Sequence, residues 1–166
     1  MVQSESVKCR GSEMKIKLKK SIKVLLTVVI AVIFLLPVFI LVVNDITAIN
    51  VKNDLKKLQL PEKSQLIDSK WIAGKVVGNG NGMQYFGAIL IRSELTWDEL
   101  DRYYSQYRNA DWQYQVAVQK TKYIDILDKG GYSFKLPNGE SFDNYYIVYN
   151  WGDVNNFFSK WDLRGH

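Results

Sequence analysis

Residues 24–43, beginning at Val24 and ending at Val43, form a run of twenty positions without a charge, interrupted only by Thr27 and Pro37. At about 1.5 Å per residue such a helix is roughly 30 Å long, the thickness of a bilayer's hydrocarbon core. The pattern predicts a transmembrane helix over 24–43, after a basic tail at 1–23. Past the run, Val51, Leu55 and Leu58 recur at i, i+4 and i+7, with Lys52, Lys56 and Lys57 on other faces. A membrane-proximal helix is therefore expected over 46–60, within a linker at 44–62. Leu60-Pro61 ends it, because a residue before proline avoids helical geometry. Such a helix either acts as a signalling or dimerising stalk or packs on the domain that follows.

From Ser64 the period changes from helical to alternating. Strands are expected over 65–77 and 83–92, joined by Gly78-Asn79-Gly80-Asn81-Gly82. The second is apolar on both faces, with Met83, Tyr85, Ile89 and Ile91 on one and Phe86, Ala88 and Leu90 on the other, so it is buried on both faces or central in its sheet. Thr96 and Glu99 then stand at the N-cap and N3 of a capping box, with Leu95 and Leu100 placed as a hydrophobic staple. A helix over 97–108 follows, its Leu100, Tyr103, Tyr104 and Tyr107 on one face. Over 112–120, Trp112, Tyr114, Val116 and Val118 alternate with glutamines, which predicts a strand with one wet face. Further strands are expected over 123–127, 132–136 and 145–151, with turns at 128–131 and 137–139. Phe157, Phe158 and Trp161 indicate a docked last segment.

The resulting fold class is α+β: an N-terminal transmembrane helix, then a small domain at 63–166 of mostly antiparallel sheet with one main helix, in the order ββαβββ, with three or four strands after the helix. Twenty of the twenty-two aromatic residues lie beyond the run, which favours a folded domain over a disordered stalk.

Charge sharpens the topology. The tail carries seven basic residues against two acidic ones, while 44–166 holds fifteen of each, so the whole net charge of +5 sits beside the run. Positive residues favour the cytoplasmic side, which places the tail inside and the C-terminal domain outside. The tail lysines are also suited to anionic lipid. A neutral outer domain does not fit nucleic acid. A cleaved signal peptide is the rival reading, but the run exceeds the usual 7–15 residues and its nearest cleavage motif, Ile46-Thr47-Ala48, lies beyond it. Translation from Met14 is a further expectation, since Met14 opens a compact basic lead-in.

The chemistry is bounded by scarcity. Cys9 and His166 are the only residues of their types and fall on opposite sides of the run. Cysteine or serine nucleophiles paired with histidine, zinc sites built on His and Cys, and disulfides are thereby excluded from the outer domain. No cofactor is expected. The loop Gly78, Asn79, Gly80, Asn81 and Gly82 lacks the lysine of a phosphate-binding loop and leads into a strand, so it reads as a hairpin connection whose backbone is a candidate ligand contact. Tyr145, Tyr149 and Trp151 share one face of their strand, as a candidate aromatic platform or as core. Asp125, Asp128, Glu140, Asp143 and Asp153 are solvated turn carboxylates by default; two of them at glycosidase spacing define the alternative, a carboxylate-dependent envelope hydrolase.

The stretch from Gly78 to Ile91, followed by Ser93-Glu-Leu-Thr-Trp-Asp-Glu-Leu and Tyr103-Tyr104, resembles segments of uncharacterised exported proteins of Gram-positive bacteria. That resemblance implies a membrane anchor before a small α+β domain and a bacterial cell-surface setting, and it carries no activity or site. The expectation is a single-pass, non-catalytic binding protein. It meets the lipid bilayer through 24–43 and an envelope protein, peptide or polymer through its outer domain.

Overall fold

The computed structural model describes residues 2–78, 82–109, 113–129, 131–136, 141–152 and 157–166, with side chains from Leu18 onward. Helix α1 runs Val2–Lys57 and contains Pro37 without ending there. The chain divides into two compact units, the second being Ile40–His166. Over Leu18–Lys57, α1 is long and apolar enough to cross a membrane, and 6% of its most apolar window is buried. Thr27, the polar interruption, donates its hydroxyl to the Lys23 carbonyl at 2.9 Å, so the run holds no unsatisfied hydroxyl.

The second unit is α+β. Strands β1 (Ser64–Gly74), β2 (Gln84–Ser93), β3 (Gln115–Val118) and β4 (Tyr145–Gly152) form one sheet in the order β1-β2-β4-β3. Every pairing is antiparallel. Helix α2 (Trp97–Ser105) lies between β2 and β3 in sequence. β2 is an inner strand, as its two apolar faces require, and it is covered on both sides. On one face Ile89 and Ile91 pack with Leu55 of α1 and with Leu100 and Tyr104 of α2. On the other, Phe86, Ala88 and Leu90 meet Ile124, Leu127 and Phe134.

The end of α1 is part of the domain core. Ala48, Val51 and Leu55 are each at most 1% exposed. Two glycines let the helix reach the sheet: a Cβ on Gly87 would lie 2.5 Å from the Lys52 backbone nitrogen, and one on Gly152 would collide with Val51 Cγ2. The capping box of α2 is complete, Glu99 accepting from the Thr96 amide at 2.8 Å and the Glu99 amide donating to Thr96 Oγ1 at 3.4 Å. Bonds from the Thr96 amide and the Thr96 hydroxyl to its oxygen hold the Glu99 carboxyl below its ordinary value. Leu95 and Leu100 of the staple enter the same cluster.

Three expectations are corrected. The helix over 97–108 ends at Ser105, where Tyr107 and Arg108 turn to donate to carbonyls three residues back. Arg108 then reaches the Tyr114 carbonyl and Asp101. The stretches 123–127 and 132–136 add no strand. They meet at one bridge, Tyr123 to Ser133, and turn Ile124, Leu127 and Phe134 under the sheet, so the described order is ββαββ. The wet face expected over 112–120 holds at Gln113 and Gln115, which are exposed opposite buried Tyr114 and Val116, and fails past the end of β3. Gln119 is 2% exposed and donates to the Thr121 and Tyr123 carbonyls, whereas Val118 is 52% exposed. Trp112 and the turn at 137–139 lie outside the described residues.

The last segment is docked, but by its polar residues. Two short 3₁₀ turns, Phe157–Trp161 and Leu163–Gly165, close the chain. Asp162 and Gly165 are buried, while Phe157 is 71% and Trp161 63% exposed.

Candidate functional site

The residues that flank the glycine-rich loop and the end of the aromatic strand meet at one end of the sheet. Asn79, Gly80 and Asn81 lie outside the described residues. Gly78 takes φ +70°, and its amide donates to Asp128 Oδ2 at 2.6 Å. Gly82 takes φ +146°, and its amide donates to the Gly165 carbonyl at 2.6 Å. Gln84 fixes the base of the loop. Its Oε1 accepts from the amides of Val76 and Val77 at 2.8 and 2.9 Å, and its Nε2 donates to the Val77 carbonyl at 3.0 Å. Because Phe86 pairs with Trp151 and Tyr85 with Gly152, the end of β4 arrives beside the same loop. The result is an open pocket of about 350 Å³, lined by Val77, Met83, Gln84, Tyr85, Trp151 and Gly152.

The three aromatic candidates separate by position. Trp151 lines this pocket, its ring 4.9 Å from Phe86 and 6.5 Å from Tyr149. Tyr149 stands behind it, partly buried, and burial raises its phenol above the ordinary value. Tyr145 pairs with Arg92 at the other end of β4, roughly 20 Å along the strand from Trp151. It is 1% exposed and packs in the core. The alternation placed all three on one face, and only the end of the strand at Trp151 opens to solvent.

A polar cluster that sequence reasoning missed lies under the same end of the sheet. Asn44, fully buried, donates to Asp162 Oδ2 at 2.8 Å and accepts from the Tyr85 hydroxyl at 2.7 Å. Arg164 binds Asp162 through Nε at 3.0 Å and Nη2 at 2.8 Å, Asp45 at 2.7 Å, and the Leu41 carbonyl at 3.3 Å. Burial opposes ionisation of Asp162, but hydrogen bonds from Arg164 and Asn44 outweigh it and hold the carboxyl below its ordinary value. The bond to Asp162 in turn raises the Arg164 guanidinium. No periodicity marks these residues, since Asn44 and Asp45 lie 118 and 119 positions from their partners Asp162 and Arg164, and only folding brings them together.

Other hollows occur among the described residues of the second unit. One, of about 450 Å³ and mostly polar, lies among Lys63, Ser64, Arg92 and Asn144 at the far end of β2. Another, of about 640 Å³, runs between Leu60, Leu95, Tyr103 and Tyr107. Burial and Tyr107 push the Tyr103 phenol up to about 12, and its hydroxyl donates to the Gln59 carbonyl at 2.8 Å.

The acidic residues are engaged in turns. Asp125 accepts from Thr121, Asp128 from Gly78, and Asp143 from Ser141. None of these three lines a pocket described above, and Glu140 and Asp153 lie outside the described residues. Among the described residues no group of three or more His, Cys, Asp or Glu is placed to hold a metal ion. His166 rests against the Lys160 carbonyl at 3.4 Å. Comparison with known protein families, with characterised proteins and with solved structures finds no match to this chain.

Proposed function

We propose that this protein is a single-pass membrane protein whose basic tail is cytoplasmic and whose C-terminal α+β domain binds an envelope partner outside the membrane. The observation that carries the reading is the apolar window of α1, of which only 6% is buried. Phe34 and Leu35, at 73% and 65% exposure, are side chains that water disfavours and lipid accepts. The uneven charge supports the orientation, with +5 on 1–23 and none beyond the run. The anchor confines the domain to the membrane surface and raises its effective concentration there.

For the binding face, the pocket beside Trp151 is favoured over the other hollows. It combines an aromatic wall with Val77 and Met83, the residues that flank the glycine loop, and with Gln84, which accepts from the amides of Val76 and Val77. Apolar walls with a few fixed polar groups suit a peptide or a sugar ring. A photo-crosslinking residue at Met83 should capture one discrete partner in intact cells, and the same residue at Asp98 on α2 should not. Identical products from both positions would remove the pocket from the proposal.

A further inference from the structure

We propose that the C-terminal segment, through Phe157, Trp161 and Leu163, is a second membrane contact that lies in the interfacial layer of the outer leaflet. The inference rests on the reading that α1 spans the bilayer. Three observations carry it.

First, these side chains are among the most exposed apolar groups outside the run. Phe157 is 71%, Trp161 63% and Leu163 85% exposed, and the Phe157 and Trp161 rings lie 6.4 Å apart. Three large apolar groups within seven residues form a patch that water alone does not favour. Second, the segment is fixed at the point where the run leaves the bilayer. Asp162, between Trp161 and Leu163, accepts from Asn44 at 2.8 Å, and Arg164 holds Asp45 at 2.7 Å and the Leu41 carbonyl at 3.3 Å. Leu41 lies inside the apolar run and Asn44 directly follows its end at Val43. A segment bonded to residues on both sides of that boundary stands at headgroup level.

Third, the composition suits lipid. Tryptophan and phenylalanine settle at the membrane–water boundary, where an apolar ring meets a polar layer. The segment's one carboxylate, Asp162, is 1% exposed and paired with Arg164, so no anionic side chain of 157–166 faces the headgroups. Exposed Lys160 adds a positive charge that anionic lipid attracts. The clamp and the patch thus divide the work: the polar residues fix the segment's height, and the apolar ones enter the lipid.

The test is depth-dependent quenching on the full chain with Cys9→Ser, carrying an environment-sensitive fluorophore on a single introduced cysteine. The protein is reconstituted in vesicles of phosphatidylethanolamine and phosphatidylglycerol. The label at Leu163→Cys should shift to the blue and lose emission to lipids that carry a nitroxide near the headgroup. At Leu35→Cys the emission should be lost to lipids labelled deep in the chain, and at Asp98→Cys to neither. If Leu35 is quenched while Leu163 behaves like Asp98, the span stands and the interfacial contact is overturned, leaving a protein partner for the patch. If Leu35 is not quenched by the deep label, the spanning reading fails and this inference with it. Leu163 and Phe157 are mostly exposed, so labelling them leaves the core intact, and agreement of Phe157→Cys with Leu163→Cys completes the case.

Discussion

Tyr104 looks like a residue that the core needs, yet its hydroxyl is a defect. The side chain is fully buried, and the hydroxyl finds no partner among the described residues. Tyr104→Phe keeps the ring and removes the stranded group, so it should stabilise the domain by about 1 kcal/mol, read as a higher urea midpoint of the full chain in detergent. Burial also raises the Tyr104 phenol above the ordinary value of 10.0. The neutral form is the folded one, so its stabilisation is complete below pH 10 and fades as pH rises past it. Tyr104→Phe should flatten that alkaline loss. Asp162 has the opposite sign. Its carboxyl is held below 3.8, so its contribution is complete above that value and fades as pH falls through and below it. Asp162→Asn should remove this acid dependence and destabilise the domain by about 2 kcal/mol, because Arg164 loses its charged partner. An unchanged acid limb in Asp162→Asn would assign that dependence to other carboxylates.

At the scale of elements, α1 and the sheet are joined by removing side chains, where most helix–sheet contacts add them. Gly87 and Gly152 clear the path for Val51 and Lys52. Gly152→Ala should cost about 1–3 kcal/mol by overpacking against Val51. Val51→Ala empties the same space, so the double variant should be more stable than the sum of the two single changes, and additive losses would deny the contact. At Gly87 the obstacle is backbone, which cannot turn aside, and Gly87→Ala should have no comparable rescue. The α2 cap is simpler: Thr96→Ala should cost about 1 kcal/mol, with helix loss visible by circular dichroism.

On the scale of the whole molecule, charge and apolarity divide along the chain. The run separates +5 from a neutral remainder, which orients the protein if lipid surrounds 24–43. Protease added to intact cells stripped of their wall should digest the C-terminal domain and spare the tail, and a protected domain would reverse the topology. The clamp formed by Asn44, Asp162 and Arg164 closes the domain on itself, since it joins the first residues of the second unit to the last.

Local patterns were legible from sequence wherever the cause was local. The capping box needs only Thr96 and Glu99, three residues apart, and the two apolar faces of β2 follow from alternation. Val51 and Leu55 at helical spacing likewise announced the face of α1 that the core buries. The pattern over 123–136 misled because alternation reports which side chains seek burial, and Ile124, Leu127 and Phe134 found it under the sheet without joining it. The candidate site was half legible. Trp151 and the loop could each be named, but their meeting depends on the β2–β4 register, which also sends Tyr145 into the core at the opposite end. Phe157 and Trp161 read as apolar residues that would dock the tail, and the tail docks through Asp162 and Arg164 instead. By itself, the sequence determined the apolar run, the charge division and the local elements, because these depend on neighbours a few residues apart. Only the tertiary structure decided the pocket, the clamp and the exposed aromatic end, because their partners lie far apart in the chain and meet through packing alone.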